Sequence, residues 1–337
     1  MESAANTCYE ASDLHAFIAA LMQTHCVAAP ARNGEKLEFT VLSDASQAVI
    51  DDTPAYKSAK EFLFPQSEKL ISFTGGNAQL IEQTERTAVV GLRPCDLEAV
   101  RVLNAVFTGG KYRDPFFAAR LEHTALIGLG CEKLKSGCFC NERGLDHRFC
   151  GYCDIFVTPS NGSYRLRAYS ERGEELLADV CGRAGLEPAE CAEHRGEPAQ
   201  KPLLALPEAA DDTVFDLKAW DTAAQTCIGC GTCTYICPTC HCFAFRDVQR
   251  GTEAARYRRW DSCMFPGFTL HASGHNPRGT KKERYRQRVM HKYLYVPRNF
   301  GLTACTGCGR CVRSCPAGIS IRDVVSRAAK ELGEAKA

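Results

Sequence analysis

The chain has 337 residues, 45% of them hydrophobic and 24% charged, with 41 Lys and Arg against 40 Asp and Glu. These values exclude a disordered, collagen-like or coiled-coil chain, and a net charge of +1 gives no general pull toward nucleic acid or an anionic membrane surface. The 21 cysteines, about 6% of the chain, are the departure from ordinary composition and call for either disulfides or metal.

A chain of this length suggests two domains or three. Residues 11–27 place Leu14, Phe17, Ile18, Leu21 and Met22 at helical spacing behind Ser12 and Asp13, either of which suits an N-cap. The Val-rich run 87–92 reads as a strand, and the residues that follow Pro94 carry Leu97, Val100, Leu103 and Val106 at helical spacing. A second apolar run, 125–129, completes a strand, helix, strand unit of the parallel kind. Residues 155–158 and 164–168 flank Asn161-Gly162, a hairpin turn signal, and 171–184 reads as a helix. The fold expected for residues 1–210 is therefore an α/β domain with a small parallel sheet. Between 185 and 226 four prolines and nine acidic against three basic residues mark a boundary, and 211–337 is expected to form the second domain.

Compartment decides between disulfides and metal. Secreted disulfide scaffolds are short and carry a leader. Residues 1–8 lack a basic segment leading into an apolar run, and no 18 consecutive apolar residues occur. The expectation is a soluble cytoplasmic protein without membrane insertion, its thiols reduced or bound to metal. Cys8, Cys26, Cys181 and Cys191 are isolated in sequence and are expected to be ordinary thiols.

Cys227, Cys230, Cys233 and Cys237, followed by Pro238, keep gaps of two, two and three residues, and Cys305, Cys308, Cys311 and Cys315, followed by Pro316, repeat them. This is the bacterial ferredoxin run, in which short spacers wrap three corners of a [4Fe-4S] cube and the fourth cysteine ligates the other cluster. The assignment is Cys227, Cys230, Cys233 and Cys315 to one cube, and Cys305, Cys308, Cys311 and Cys237 to its mate. Two alternatives compete. Zinc would take four thiolates, but structural zinc prefers paired knuckles with a longer gap. Cys233, Cys237 and Cys240 match the three-cysteine pattern of radical enzymes that cleave S-adenosylmethionine, without the repeated strand and helix units of their barrel.

Residues 227–247 (CIGCGTCTYICPTCHCFAFRD), 258–268 (RRWDSCMFPGF), and His291-Lys292 ahead of the second run resemble a family of dicluster electron-transfer proteins that includes the dicluster component of anaerobic sulfite reductases and the beta subunit of sulfhydrogenases. The resemblance extends upstream through Arg93, Pro94, Cys95, Asp96, Cys131, Cys138 and Cys140. It implies a mostly α-helical ferredoxin-like second domain and an iron-sulfur wire that relays single electrons. The implied partners are a flavin- and NAD(P)-binding oxidoreductase subunit together with a separate catalytic subunit, of sulfite reductase, hydrogenase or heterodisulfide reductase type. The rival reading is a catalytic reductase that binds substrate at a cluster lacking one protein ligand.

Several cysteines remain. Cys95 and Cys131 follow the strands ending at 92 and 129, at the carboxyl ends where parallel sheets place ligands, and with Cys138 and Cys140 they are candidates for a third cubane; four free thiols is the competing reading. Cys240, Cys242 and Cys263 either pack beside the clusters as tuning groups or act as alternative ligands. Cys150 and Cys153 have the form of half a zinc site or a redox pair, with free thiols the simpler reading. Residues 252–300 carry eleven Lys and Arg against three acids, a stretch that offsets cluster charge, docks an acidic partner or is a solvated face. No glycine-rich nucleotide motif follows a strand, so neither flavin nor NAD is expected on this chain.

Overall fold

The computed structural model describes residues 7–160, 162–190, 206 and 211–334. Cys191 and, with it, residues 191–205 and 207–210 of the acidic, proline-punctuated boundary segment lie outside the described residues. The chain divides into two compact units, one of residues 1–63, 82–136 and 144–200, the other of residues 64–81, 137–143 and 201–337. Twelve strands are described, in chain order: β1 (Thr7–Ala11), β2 (Cys26–Asn33), β3 (Lys36–Val41), β4 (Ser67–Thr74), β5 (Asn77–Leu80), β6 (Thr87–Leu92), β7 (Thr124–Leu129), β8 (Ile155–Ser160), β9 (Ser163–Ala168), β10 (Pro188–Glu190), β11 (Phe243–Arg250) and β12 (Glu253–Trp260).

The first unit is built on an eight-stranded sheet of order β10-β1-β9-β8-β7-β6-β2-β3. The expected parallel layer is present as β2, β6, β7 and β8, but antiparallel pairing extends it on both sides, so the sheet is mixed and larger than the small parallel one expected. The central strands are buried along their whole length, as covering both faces requires: every residue of β7 and five of six in β6 are buried. Helices α1 (His15–Leu21), α2 (Pro94–Thr108), α3 (Pro115–Glu122) and α4 (Glu171–Ala184) provide that cover. On one face Phe17 and Ile18 of α1 and Leu177 and Val180 of α4 join Val90, Ile127 and Val157 of the strands in one apolar core. On the other, Leu97 of α2 and Phe156 approach Gly128 so closely that a Cβ there would lie 2.5 Å from the ring and 2.9 Å from the leucine.

Local signals act where they were read. β8 and β9 pair as an antiparallel hairpin with Gly162 at φ +87°, while Asn161 lies outside the described residues. Helix α4 starts at Ser170, whose hydroxyl accepts from Gly173 N–H, and stops at Gly185 in the left-handed conformation. At α1 neither Ser12 nor Asp13 is the cap: Leu14 holds that position, and Asp13 accepts instead from the His15 N–H at 3.2 Å.

The second unit combines helices with a four-stranded antiparallel sheet of order β11-β12-β4-β5, so "mostly α-helical" describes only part of it. The strands come from segments far apart in the chain. Arg258 of β12 and Glu68 of β4 face each other in register and form a buried bidentate pair at 3.0 and 3.2 Å. Beside the sheet, helices Lys218–Thr226, Lys281–Met290 and Ile321–Glu334 close over Trp220, Val289, Tyr293 and Val325, all buried. Helix Lys281–Met290 begins with a Thr280/Glu283 capping box and continues into a π-helical turn, His291–Tyr295. Among the described residues no helix is long and apolar enough to cross a membrane.

Candidate iron-sulfur centre

The two cysteine runs fold alike. In each, two glycines adopt positive φ (Gly229 and Gly231; Gly307 and Gly309), and a single helical turn follows, Thr232–Tyr235 or Arg310–Arg313. The glycines let the chain curl tightly between the cysteines of each run.

One cavity draws on both runs. Cys227, Cys230, Cys233 and Cys315 line one cavity of about 460 Å³, open mouth included, with Tyr285 and Arg288 in its wall. Cys311 of the second run reaches the same wall, so the two centres are neighbours. Burial, only partly opposed by Arg288, pushes the Cys311 thiol up to about 12, with Cys308, Cys305 and Cys237 adding to the rise.

The two sets differ in surroundings. Cys230 is solvent-exposed, as is its neighbour Ile228 at 67%. The corresponding position in the second run, Thr306, is 3% exposed, and Cys305 and Cys237 are buried. Backbone and hydroxyl groups point at the sulfurs: Gly229 N–H lies 3.4 Å from Cys227 Sγ, Ile319 N–H 3.3 Å from Cys315 Sγ, and Thr239 Oγ1 3.4 Å from Cys237 Sγ. A hydrogen bond with Thr232 holds the Cys230 thiol below its usual value.

Cys240, Cys242 and Cys263 lie in the same region. The Cys240 thiol donates to Cys237, which holds Cys237 well below and Cys240 well above the ordinary thiol value. Cys263 likewise donates to Cys242 and is raised. This arrangement suits S–H donors beside the ligands.

Buried cations complete the site. Arg284, Arg286 and Arg288 are 7%, 9% and 3% exposed, so the helix bearing them is not the solvated or docking face that the basic run allowed. Arg284 donates to the carbonyls of Met264, Arg278 and Gly279; Arg286 stacks 3.3 Å over Phe215; Arg288 reaches toward the Cys233 carbonyl. Arg143, which the cysteine pattern does not reveal, donates to the Cys305 carbonyl at 3.0 Å and lies over the Tyr293 ring.

Among the described residues, the buried donors near the cysteines that lack an acceptor include Arg288 Nε, Arg143 Nη1, Tyr285 OH and Thr306 OH. Each unmade bond costs about 1–3 kcal/mol, and an anionic sulfur-rich group bound by the thiols would supply acceptors. The donor set therefore fits [4Fe-4S] clusters. Among the described residues no three His, Cys, Asp or Glu side chains converge tightly enough for a single metal ion.

The remaining cysteines are placed as follows. Cys95 opens α2 and Cys131 follows β7, and Arg93 Nη1 donates to the Gly130 carbonyl at 2.9 Å, so both belong to one end of the first unit's sheet. Cys138 and Cys140 belong to the second unit, where Arg313 donates to Cys138 Sγ at 3.5 Å and Gly307 approaches the Cys140 backbone. Cys150 and Cys153 are free thiols, and burial pushes Cys150 up to about 11. Cys26 and Cys181 are also free. Cys8 is disulfide-bonded, against the expectation of an isolated thiol; pairing of β1 with β10 brings distant chain alongside it, which spacing alone does not show.

Comparison with known proteins agrees with this site. Residues 226–319 match the family model of the 4Fe-4S dicluster domain. The chain is 29% identical over 312 residues to the beta subunit of sulfhydrogenase 2 from Pyrococcus furiosus, covering 90% of this chain and 92% of that protein. Residues 226–319 are thus similar to a 4Fe-4S dicluster domain, and the chain is similar along nearly all its length to a sulfhydrogenase beta subunit.

Proposed function

We propose that this chain is the electron-relay subunit of an oxidoreductase complex. Two [4Fe-4S] clusters would supply one-electron redox chemistry, one held by Cys227, Cys230, Cys233 and Cys315, the other by Cys305, Cys308, Cys311 and Cys237. The observation that carries the reading is the cavity lined by Cys227, Cys230 and Cys233 of the first run together with Cys315 of the second, which supports crossed ligation with every iron capped by cysteine. Cys230 and Ile228, exposed at the rim of the first set, mark where electrons exchange with a partner, while Thr306, Arg143 and Tyr293 keep water from the second. The similarity to a sulfhydrogenase beta subunit supports a heteromeric assembly in which flavin and NAD(P) are bound by one partner and substrate by another.

A third cubane on Cys95, Cys131, Cys138 and Cys140 is part of the proposal. Anaerobically purified full-length protein is then expected to hold about twelve irons, four per cubane, and Cys95→Ala to lose about a third of them. A content of about eight, unchanged by that substitution, limits the relay to two clusters. The reduced chain is expected to pass electrons to viologen dyes and to turn over neither sulfite, hydrogen nor a disulfide. Turnover by the chain alone would instead establish the catalytic reductase.

A further inference from the structure

Helix Lys281–Met290 and the π-helical turn after it carry two cations, Arg288 and Lys292, into the interior at 3% and 4% exposure. A charge taken out of water costs several kcal/mol unless an opposite charge meets it, yet no carboxylate among the described residues pairs with either. The groups that face them are thiols. Around Arg288 stand Cys233 of one ligand set and Cys311 of the other, together with Cys240. Around Lys292 stand Cys237 and Cys305, both of one set, again with Cys240.

The contacts are as uneven as the neighbourhoods. Arg288 Nη2 lies 3.5 Å from the Cys233 carbonyl and its Nε has no acceptor. Lys292 Nζ donates to Thr239 Oγ1 at 2.7 Å, and the same hydroxyl sits 3.4 Å from Cys237 Sγ. With its lone pair engaged by the ammonium, the threonine hydroxyl is left to donate its proton to the sulfur.

We propose that Arg288 and Lys292 set the reduction potentials of the two sites and make them inequivalent: Arg288 raises both, whereas Lys292, acting through Thr239, raises only the Cys305, Cys308, Cys311 and Cys237 site. The physical reason is that reduction adds a negative charge, which a fixed buried cation stabilises in proportion to its proximity. An electron entering at the exposed Cys230 side then comes to rest on the deeper site. This inference rests on the two-cluster reading.

The test is an EPR-monitored potentiometric titration of the full-length, anaerobically purified protein and its Arg288→Met, Lys292→Met and Thr239→Val variants, with iron counted in each. Iron and reduced-cluster signals in the unsubstituted chain test the two-cluster reading by themselves. Given these, Lys292→Met is expected to disfavour reduction of one cluster at least tenfold, 59 mV for a one-electron couple, and to leave the other within twofold. Thr239→Val is expected to shift the same cluster by less, and Arg288→Met to shift both. If Arg288→Met loses iron, the other two variants decide. Two unchanged potentials in Lys292→Met, or equal shifts in both, would overturn the inference.

Discussion

Gly229 and Gly307 occupy the same position in the two cysteine runs and have nearly the same backbone, φ +73° and +64°. An alanine at either takes the left-handed conformation, which costs an L-residue about 1–2 kcal/mol. Around Gly229 nothing lies within 4 Å of the added Cβ. At Gly307 that carbon would stand 2.6 Å from the Cys140 Cα and N and from the Phe139 carbonyl carbon, so rigid backbone must retreat by about 0.8 Å to reach ordinary contact. The retreat also stretches the 2.8 Å bond from Phe139 N–H to the Gly307 carbonyl. Overpacking of this kind adds about 1–3 kcal/mol. Gly229→Ala is therefore expected to destabilise by about 1–2 kcal/mol, and Gly307→Ala by about 2–5 kcal/mol. At about 2–4 °C per kcal/mol for a unit of this size, thermal unfolding of the anaerobic protein at one scan rate separates the two. Equal losses of Tm, or the larger loss at Gly229, would refute the close packing of Cys140 on the second run.

Three further outcomes are expected. Cys315→Ala should deplete the cluster of the first run and Cys237→Ala that of the second, read as loss of one EPR signal each; loss of the signal from a cysteine's own run would contradict crossed ligation. Glu68→Gln removes the carboxylate paired with buried Arg258 and should cost about 3–5 kcal/mol, whereas joint replacement by Glu68→Leu and Arg258→Met should cost far less, a comparison that denaturant unfolding makes directly. Burial holds the Glu98 carboxyl above its usual 4.5, with Arg101 only partly offsetting. The folded state thus binds that proton more tightly than the unfolded one, and stability should fall as pH rises from about 4.5 through the raised value. Glu98→Gln should remove that slope, and a pH series of Tm values identical to the unsubstituted protein's would show that Glu98 does not cause it.

The candidate site was legible to the extent that its chemistry is local. Cys227, Cys230 and Cys233 sit within seven residues of one another, close enough for spacing to imply a shared centre. Arg143 and Thr306 were not legible, because an arginine in a loop and a threonine between cysteines have no periodic signal; their burial beside Cys305 is a property of packing. The alternation in 243–247, Phe243 and Phe245 against Ala244 and Arg246, was available as a strand signal, but the sheet also needs β4, which arrives from residues 67–74.

By itself the sequence determined the repeated cysteine spacing, the strand at 87–92, the hairpin that pairs 155–160 with 163–168 and the stop at Gly185, each set by bonds and torsions within a few residues. Tertiary structure decided the antiparallel strands that widen the first sheet, the disulfide at Cys8, and the direction in which the basic helix faces. Arg284, Arg286 and Arg288 have the same composition signature on a solvated face as in a core. Only the thiols and carbonyls that other parts of the chain bring to them determine whether burying those charges is favourable.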